Sequence, residues 1–153
     1  MGVRFSRANI IQDFERRIKT VGPEAMKQVD SDLEFLAEES AQEMQQYIST
    51  RGTRYSHEQG RAGRVDTENM LNSVSYRKNP NQSDRVHSWE FGWVENFEKY
   101  FTYQEKGFRN WRSGEGVIGM FALRDAATSA RDRLVHLGPK IIAKAVKHIE
   151  GGF

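Results

Sequence analysis

Residues 23–49 read PEAMKQVDSDLEFLAEESAQEMQQYIS. Met26, Val29, Leu33, Leu36, Ala37, Ala41, Met44 and Ile48 recur at steps of three and four, the spacing that lines one side of a 3.6-residue helix. Glu24, Asp30, Asp32, Glu34, Glu38, Glu39 and Glu43 occupy the other faces. The stretch predicts a helix of about seven turns, with Pro23 at the first helical position, where a missing N–H removes no bond. So narrow a stripe is either a helix-bundle seam or the core face of one helix.

Upstream, Ile10, Ile11, Phe14 and Ile18 predict a short helix over 7–20, and residues 1–22 an N-terminal helical arm interrupted by Gly22-Pro23. Downstream, periodicity stops. Residues 51–66 hold three glycines together with Arg51, Arg54, Tyr55, Arg61 and Arg64, and predict an extended basic loop. Unstructured stretches of this length are functional or disordered more often than they are part of a compact fold. Two readings stand: a solvated loop, or a segment that orders against a neighbouring subunit or a phosphate backbone.

Asp66-Thr67-Glu68-Asn69 offers a helix N-cap, Met70, Leu71 and Val74 an apolar face, and Val74 to Arg77 a strand. After a turn at 79–84, Trp89, Phe91 and Trp93 alternate with Ser88, Glu90 and Gly92, the period of a half-buried strand. This face is expected to build the core. Phe97 to Tyr103 predicts another strand or a tight aromatic connection, and Arg109 to Gly116 a second polar loop. Phe121, Leu123, Ala126, Ala127, Ala130 and Leu134 mark a helix that Gly138-Pro139 should break; Ile141, Ile142, Ala145, Val146 and Ile149 mark a last one, within 139–153. Helices set apart from a small antiparallel sheet make the fold class α+β, in a single domain spanning 1–153.

Composition removes several functions. The chain has no cysteine, hence no disulfide, thiolate metal site or cysteine nucleophile. Neither a signal-peptide run nor about 18 consecutive apolar residues occurs, so the expectation is a protein made in the cytosol and not held in a membrane. A net charge of +2 is too mild to imply nucleic-acid binding by itself. Asn81-Gln82-Ser83 matches a glycosylation acceptor that has no meaning without secretion.

The chemical motifs are sparse. Gly114-Glu115-Gly116-Val117-Ile118-Gly119 spells G-x-G-x-x-G, but no buried strand precedes it and no second parallel strand follows, so no cofactor is expected. His57, His87, His136 and His148 are scattered, and His57-Glu58 lacks the second histidine of a zinc-protease helix, so no metal is expected. Glu38, Glu39 and Glu43 read as a charged outer face. Tyr100, Phe101, Tyr103, Phe108 and Trp111 interleave with Lys99, Lys106, Arg109 and Arg112. Such a mixture can stack bases and hold phosphates, although aromatics concentrate equally in cores and subunit interfaces, the reading favoured here. The expectation is a non-enzyme.

Three segments together carry a resemblance. Thr67-Glu68-Asn69-Met70-Leu71-Asn72-Ser73-Val74 resembles the T-G-x-L-x-x-S-I motif of long-tailed phage proteins called neck, tail-completion, head–tail joining or minor tail proteins. Tyr103-Gln104-Glu105-Lys106-Gly107-Phe108 resembles that family's Y-x-E-x-G-T, and Phe121-Ala122-Leu123-Arg124-Asp125-Ala126 its F-L-x-P-A before a C-terminal helix. The similarity runs in order over about residues 25–149. Departures are Glu68 for glycine, Met70 for leucine, Phe108 for threonine and Asp125 for proline. The resemblance implies a virion structural protein without catalytic site, assembled in the host cytoplasm as a ring, commonly hexameric, between head connector and tail tube, with DNA passing through the lumen. The loops bearing Arg51, Arg54, Tyr55, Arg61, Arg64, Arg109, Trp111 and Arg112 would then reach neighbouring subunits or rings. A nucleic-acid-binding module using the same residues is the alternative.

Overall fold

The structure, a computed structural model, describes residues 7–64, 68–80 and 88–151. Thr67, the end of the expected turn at 81–84, and His87 lie outside the described residues. Two long helices frame it: α1, Arg7–Thr50, and α5, Ala122–Gly151. Between them come α2 (Arg54–Glu58), α3 (Asn69–Asn72), β1 (Ser75–Lys78), β2 (Trp89–Gly92), α4 (Lys99–Lys106), β3 (Gly107–Arg109) and β4 (Gly116–Ile118). The fold is α+β, with a long N-terminal helix, small antiparallel ribbons and a C-terminal helix.

α1 and α5 pack antiparallel. Three ion pairs fix their register, Arg51 with Asp125, Arg133 with Glu43 and Lys144 with Asp32, each step up one helix matching a step down the other. α1 is 44 residues long, about 66 Å at 1.5 Å per residue. The helix seen at 23–49 is therefore real but longer than expected.

Neither proline breaks its helix: Pro23 lies inside α1 and Pro139 inside α5. The local chemistry explains why. A residue before proline is driven out of the helical region largely by a clash between its Cβ and the proline ring. Here that residue is Gly22 or Gly138, which has no Cβ. The missing hydrogen bond remains, but packing along the pair carries each helix through.

The core sits where the upper half of α1 meets α3, α4 and the start of α5. Ala41, Met44, Ile48, Met70, Val74, Phe101, Met120, Ala122 and Ala126 form one buried cluster, with Tyr47, Leu71, Tyr76, Phe91, Trp93 and Leu123 packed around it. β1 and β2 pair antiparallel from Ser75 opposite Gly92 to Lys78 opposite Trp89. Phe91 and Trp93 join the core as expected, but Trp89 turns to α1 and donates its indole N–H to Asp30 at 2.9 Å. The expected small antiparallel sheet is the β1–β2 pair; β3 and β4 form a second, separate ribbon that the sequence did not announce.

Two local expectations are corrected, and a third, the loop at 109–116, is given its setting. The stretch 97–103 is not a strand: α4 covers Lys99–Lys106, and Phe101 and Glu105, four residues apart, share its buried face. The loop at 109–116 is the turn of a β3–β4 hairpin, with Arg109 opposite Gly116. Residues 51–64 are not an extended loop but fold back on the body. Thr53 caps α2 in a reciprocal box with Ser56, a threonine–serine version of the capping box that usually ends in glutamate.

Candidate functional site

The end of α1, the returning segment 51–64, the end of α4 and the beginning of α5 meet at one polar junction. Arg51 donates from Nη1 to the Met120 carbonyl at 2.9 Å and to Asp125 Oδ2 at 2.6 Å. Its guanidinium lies 3.8 Å from the Tyr47 ring centre. Arg64 donates to the carbonyls of Arg51, Gln104 and Ile118 and to the Gln104 side chain, tying four parts of the chain together. Burial pushes the Arg64 pKa down, and the Glu105 charge opposes that shift. These two arginines, expected in a loop that reaches neighbouring subunits, each brace contacts within the chain.

Glu105 is buried at the centre of the junction. Its carboxylate accepts from the backbone N–H groups of Leu123 at 3.2 Å and Arg124 at 2.9 Å. These are early donors of α5 that have no partner inside the helix, so a side chain from α4 caps a helix that starts 17 residues later in the chain. Negative charge is favoured there by the helix dipole. Asp125 adds a second carboxylate in that first turn; hydrogen bonds from Arg124 and Arg51 hold its pKa below the ordinary value. Lower on the helix pair, burial pushes the Glu43 carboxyl up, but hydrogen bonds from Tyr47, Ser129 and Arg133 outweigh it and leave the pKa lowered.

The three sequence motifs meet in part: Met70, Val74, Ala122 and Ala126 share one buried cluster, and Glu105 caps the helix that Ala122 begins. Met70, Ser73 and Ala126 are buried, and Trp93 donates its indole N–H to the Met70 carbonyl. Glu68, standing where the resembled motif has glycine, has φ +62°, the left-handed conformation that glycine adopts without strain. Gly107 has φ +89°, and a Cβ there would lie 2.6 Å from the Val117 carbonyl oxygen. Tyr103 is exposed, its ring 6.4 Å from that of Phe108. Asp125, where the motif has proline, is the partner of Arg51. The G-x-G-x-x-G run has a structural reading too, since a Cβ on Gly119 would sit 2.3 Å from the Glu105 carbonyl oxygen.

The other expected site residues lie outside the junction. Arg54 forms an exposed pair with Glu58 within α2. Tyr55 is exposed beside it. Arg61, beside Arg64 of the junction, lines a groove of about 620 Å³ between α2 and α4, with Tyr100, Gln104 and Phe108 on its other side. Arg109 folds onto the Gly114 carbonyl at 2.8 Å and braces the hairpin turn. At the tip, Trp111 is 84% exposed, with the Arg112 guanidinium 4.8 Å from its ring centre. Sequence reading grouped these arginines by type; the structure separates braces (Arg51, Arg64, Arg109) from exposed groups (Arg54, Arg112).

Among the described residues, no group of three or more His, Asp or Glu side chains could hold a metal ion. His57 and His136 engage backbone carbonyls of their own neighbourhoods. Of the charged residues brought together, Glu105 caps a helix, Arg51 and Asp125 pair, and Arg64 holds carbonyls of three other segments. Asp125 entered the sequence reading only as a departure from the resembled motif, and its role as the partner of Arg51 was not expected; the one sign of it was an acidic residue in the first turn of a helix. Comparison with protein-family models, with curated proteins and with solved structures finds no match.

Proposed function

We propose that this chain is a structural subunit of a long-tailed phage virion, forming a ring at the head–tail junction or tail end, in contact with head-completion, connector or tail-tube proteins and with DNA crossing its lumen. The observation that carries the reading is the convergence of three motifs distant in sequence. Met70 of the first motif and Ala126 of the third share one buried cluster, Glu105 of the second caps the helix that carries Ala126, and the position at which the motif has glycine adopts the glycine conformation. The motifs then make sense as determinants of a scaffold, without catalytic duty. The distribution of apolar surface supports the same reading. Phe35, Val135, Ile142, Val146, Trp111 and Ile118 are all exposed, more large apolar surface on two helices and a hairpin tip than a solitary domain usually leaves in water. No helix among the described residues is long and apolar enough to cross a membrane, so a bilayer-spanning helix is not what covers it. Negative-stain images of the purified chain test the proposal: closed particles with a central hole are expected, and uniformly small particles without one count against it.

A second reading, nucleic-acid binding, draws on the exposed Trp111–Arg112 tip and the Arg61–Tyr100 groove. It requires affinity for DNA that falls steeply with salt, by a log–log slope near −0.9 per phosphate neutralised. Absent or salt-insensitive binding removes it.

A further inference from the structure

α5 leaves two separate apolar patches uncovered. The first is a groove along one side of the α1–α5 pair, about 220 Å³, where Phe35 and Leu36 of α1 face Leu137 and Ile141 of α5. Phe35 is 59% exposed there. The second is a stripe of Val135, Ile142 and Val146, 65%, 64% and 43% exposed. At about 100° per residue, the three stripe residues lie about 140–180° around the helix from Leu137. Groove and stripe therefore sit on nearly opposite sides of α5.

Their charges differ in a complementary way. The groove has Lys140 and Lys144 on its α5 wall and Asp32, the partner of Lys144, on its α1 wall, while Glu38 and Glu39 follow Phe35 by three and four residues on α1 and so share its side of that helix. The stripe carries Arg131 along one edge and Asp132 along the other. Among the described residues, Glu39, Arg131 and Lys140 make no ion pair within the chain, and neither does the Asp132 carboxylate. A groove placed on another groove with α5 against α5 would oppose lysine to lysine. A stripe placed in a groove lets Asp132 meet Lys140 and Arg131 meet the α1 acids while the apolar residues close between them.

We infer that the occupant of this groove is the α5 stripe of a second copy of the chain. The contact joins two different patches on opposite sides of one helix, so it is head-to-tail and propagates until a rotation closes it into a ring. The inference rests on the ring proposed above and names the surface that builds it.

The absence of cysteine makes cross-linking a clean test. Asp132→Cys and Lys140→Cys place one thiol at the rim of each patch on exposed positions, and a short bis-maleimide joins only neighbouring chains. A mixture of the two variants should give a cross-linked dimer, and either variant alone should not. Ile142→Asp should lower the assembled mass to that of one chain without changing helical circular dichroism. Cross-linking of Asp132→Cys to itself overturns the inference in favour of a symmetric stripe contact. Assembled particles that cross-link in neither case, or that survive Ile142→Asp, overturn it while leaving the ring intact. A single-chain mass throughout with no adduct removes both.

Discussion

Replacing Glu105 with alanine isolates the junction's main contact. The carboxylate accepts two N–H groups from the first turn of α5, at 3.2 and 2.9 Å, in a buried setting. Losing an N-cap costs about 1 kcal/mol, up to about 2 when the site is poorly solvated. Glu105 is also the charge facing the half-buried Arg64 guanidinium, and losing a charged partner adds about 1 kcal/mol. The total is about 2–3 kcal/mol, or a fall in midpoint of about 5–10 °C for a domain of this size. Urea unfolding followed by circular dichroism at a concentration where the chain is monomeric reads this directly. Glu105→Gln, which keeps one acceptor oxygen and the volume, should recover about half of the loss. A cost below about 0.5 kcal/mol for Glu105→Ala would refute the view that this carboxylate organises the start of α5.

Four further outcomes follow from the same geometry. Glu68→Gly should stabilise the fold by up to about 1 kcal/mol in urea titrations, because it removes left-handed strain at φ +62°, whereas Glu68→Val should destabilise it. Phe101→Ala, at a fully buried ring packed against Trp93 and Tyr100, should lower stability by about 3–5 kcal/mol, while Trp111→Ala at the exposed tip should stay within about 0.5 kcal/mol of the parent. Arg64→Ala should destabilise by about 1.5–3 kcal/mol through its lost carbonyl contacts, and Arg54→Ala should not. The pKa values of Glu43 and Asp125 are lowered on folding, so their stabilisation is complete above the ordinary values of 4.5 and 3.8 and is lost as pH falls through the folded values below them; a Glu43→Gln, Asp125→Asn double variant should show a flatter acid limb in a pH series of thermal melts.

The α1 stripe was legible because one face carries most of its burial: Ala41, Met44 and Ile48 are core residues at the expected steps. Phe91 and Trp93 were legible for the same reason, as large aromatics on one side of an otherwise polar segment. What failed was punctuation. Gly-Pro reads as a stop, yet the glycine that suggests a break also removes the clash that would enforce one. The order within 51–64 was hidden because it depends on carbonyls at Gln104 and Ile118, far away in sequence, which no local pattern announces. For the same reason Arg51 and Arg64 looked identical to Arg54 and Arg112. α4 was missed because aromatic residues in succession imitate a strand until one of them, Phe101, is seen to face the core with Glu105 one turn on.

Light scattering on the purified chain across a concentration series tests the central claim most directly. The account predicts one discrete assembled mass, an integral multiple of 17.7 kDa that stays fixed once formed, as expected when a head-to-tail contact closes on itself. A mass of one chain at every concentration would contradict it, and so would a mass that rises without limit.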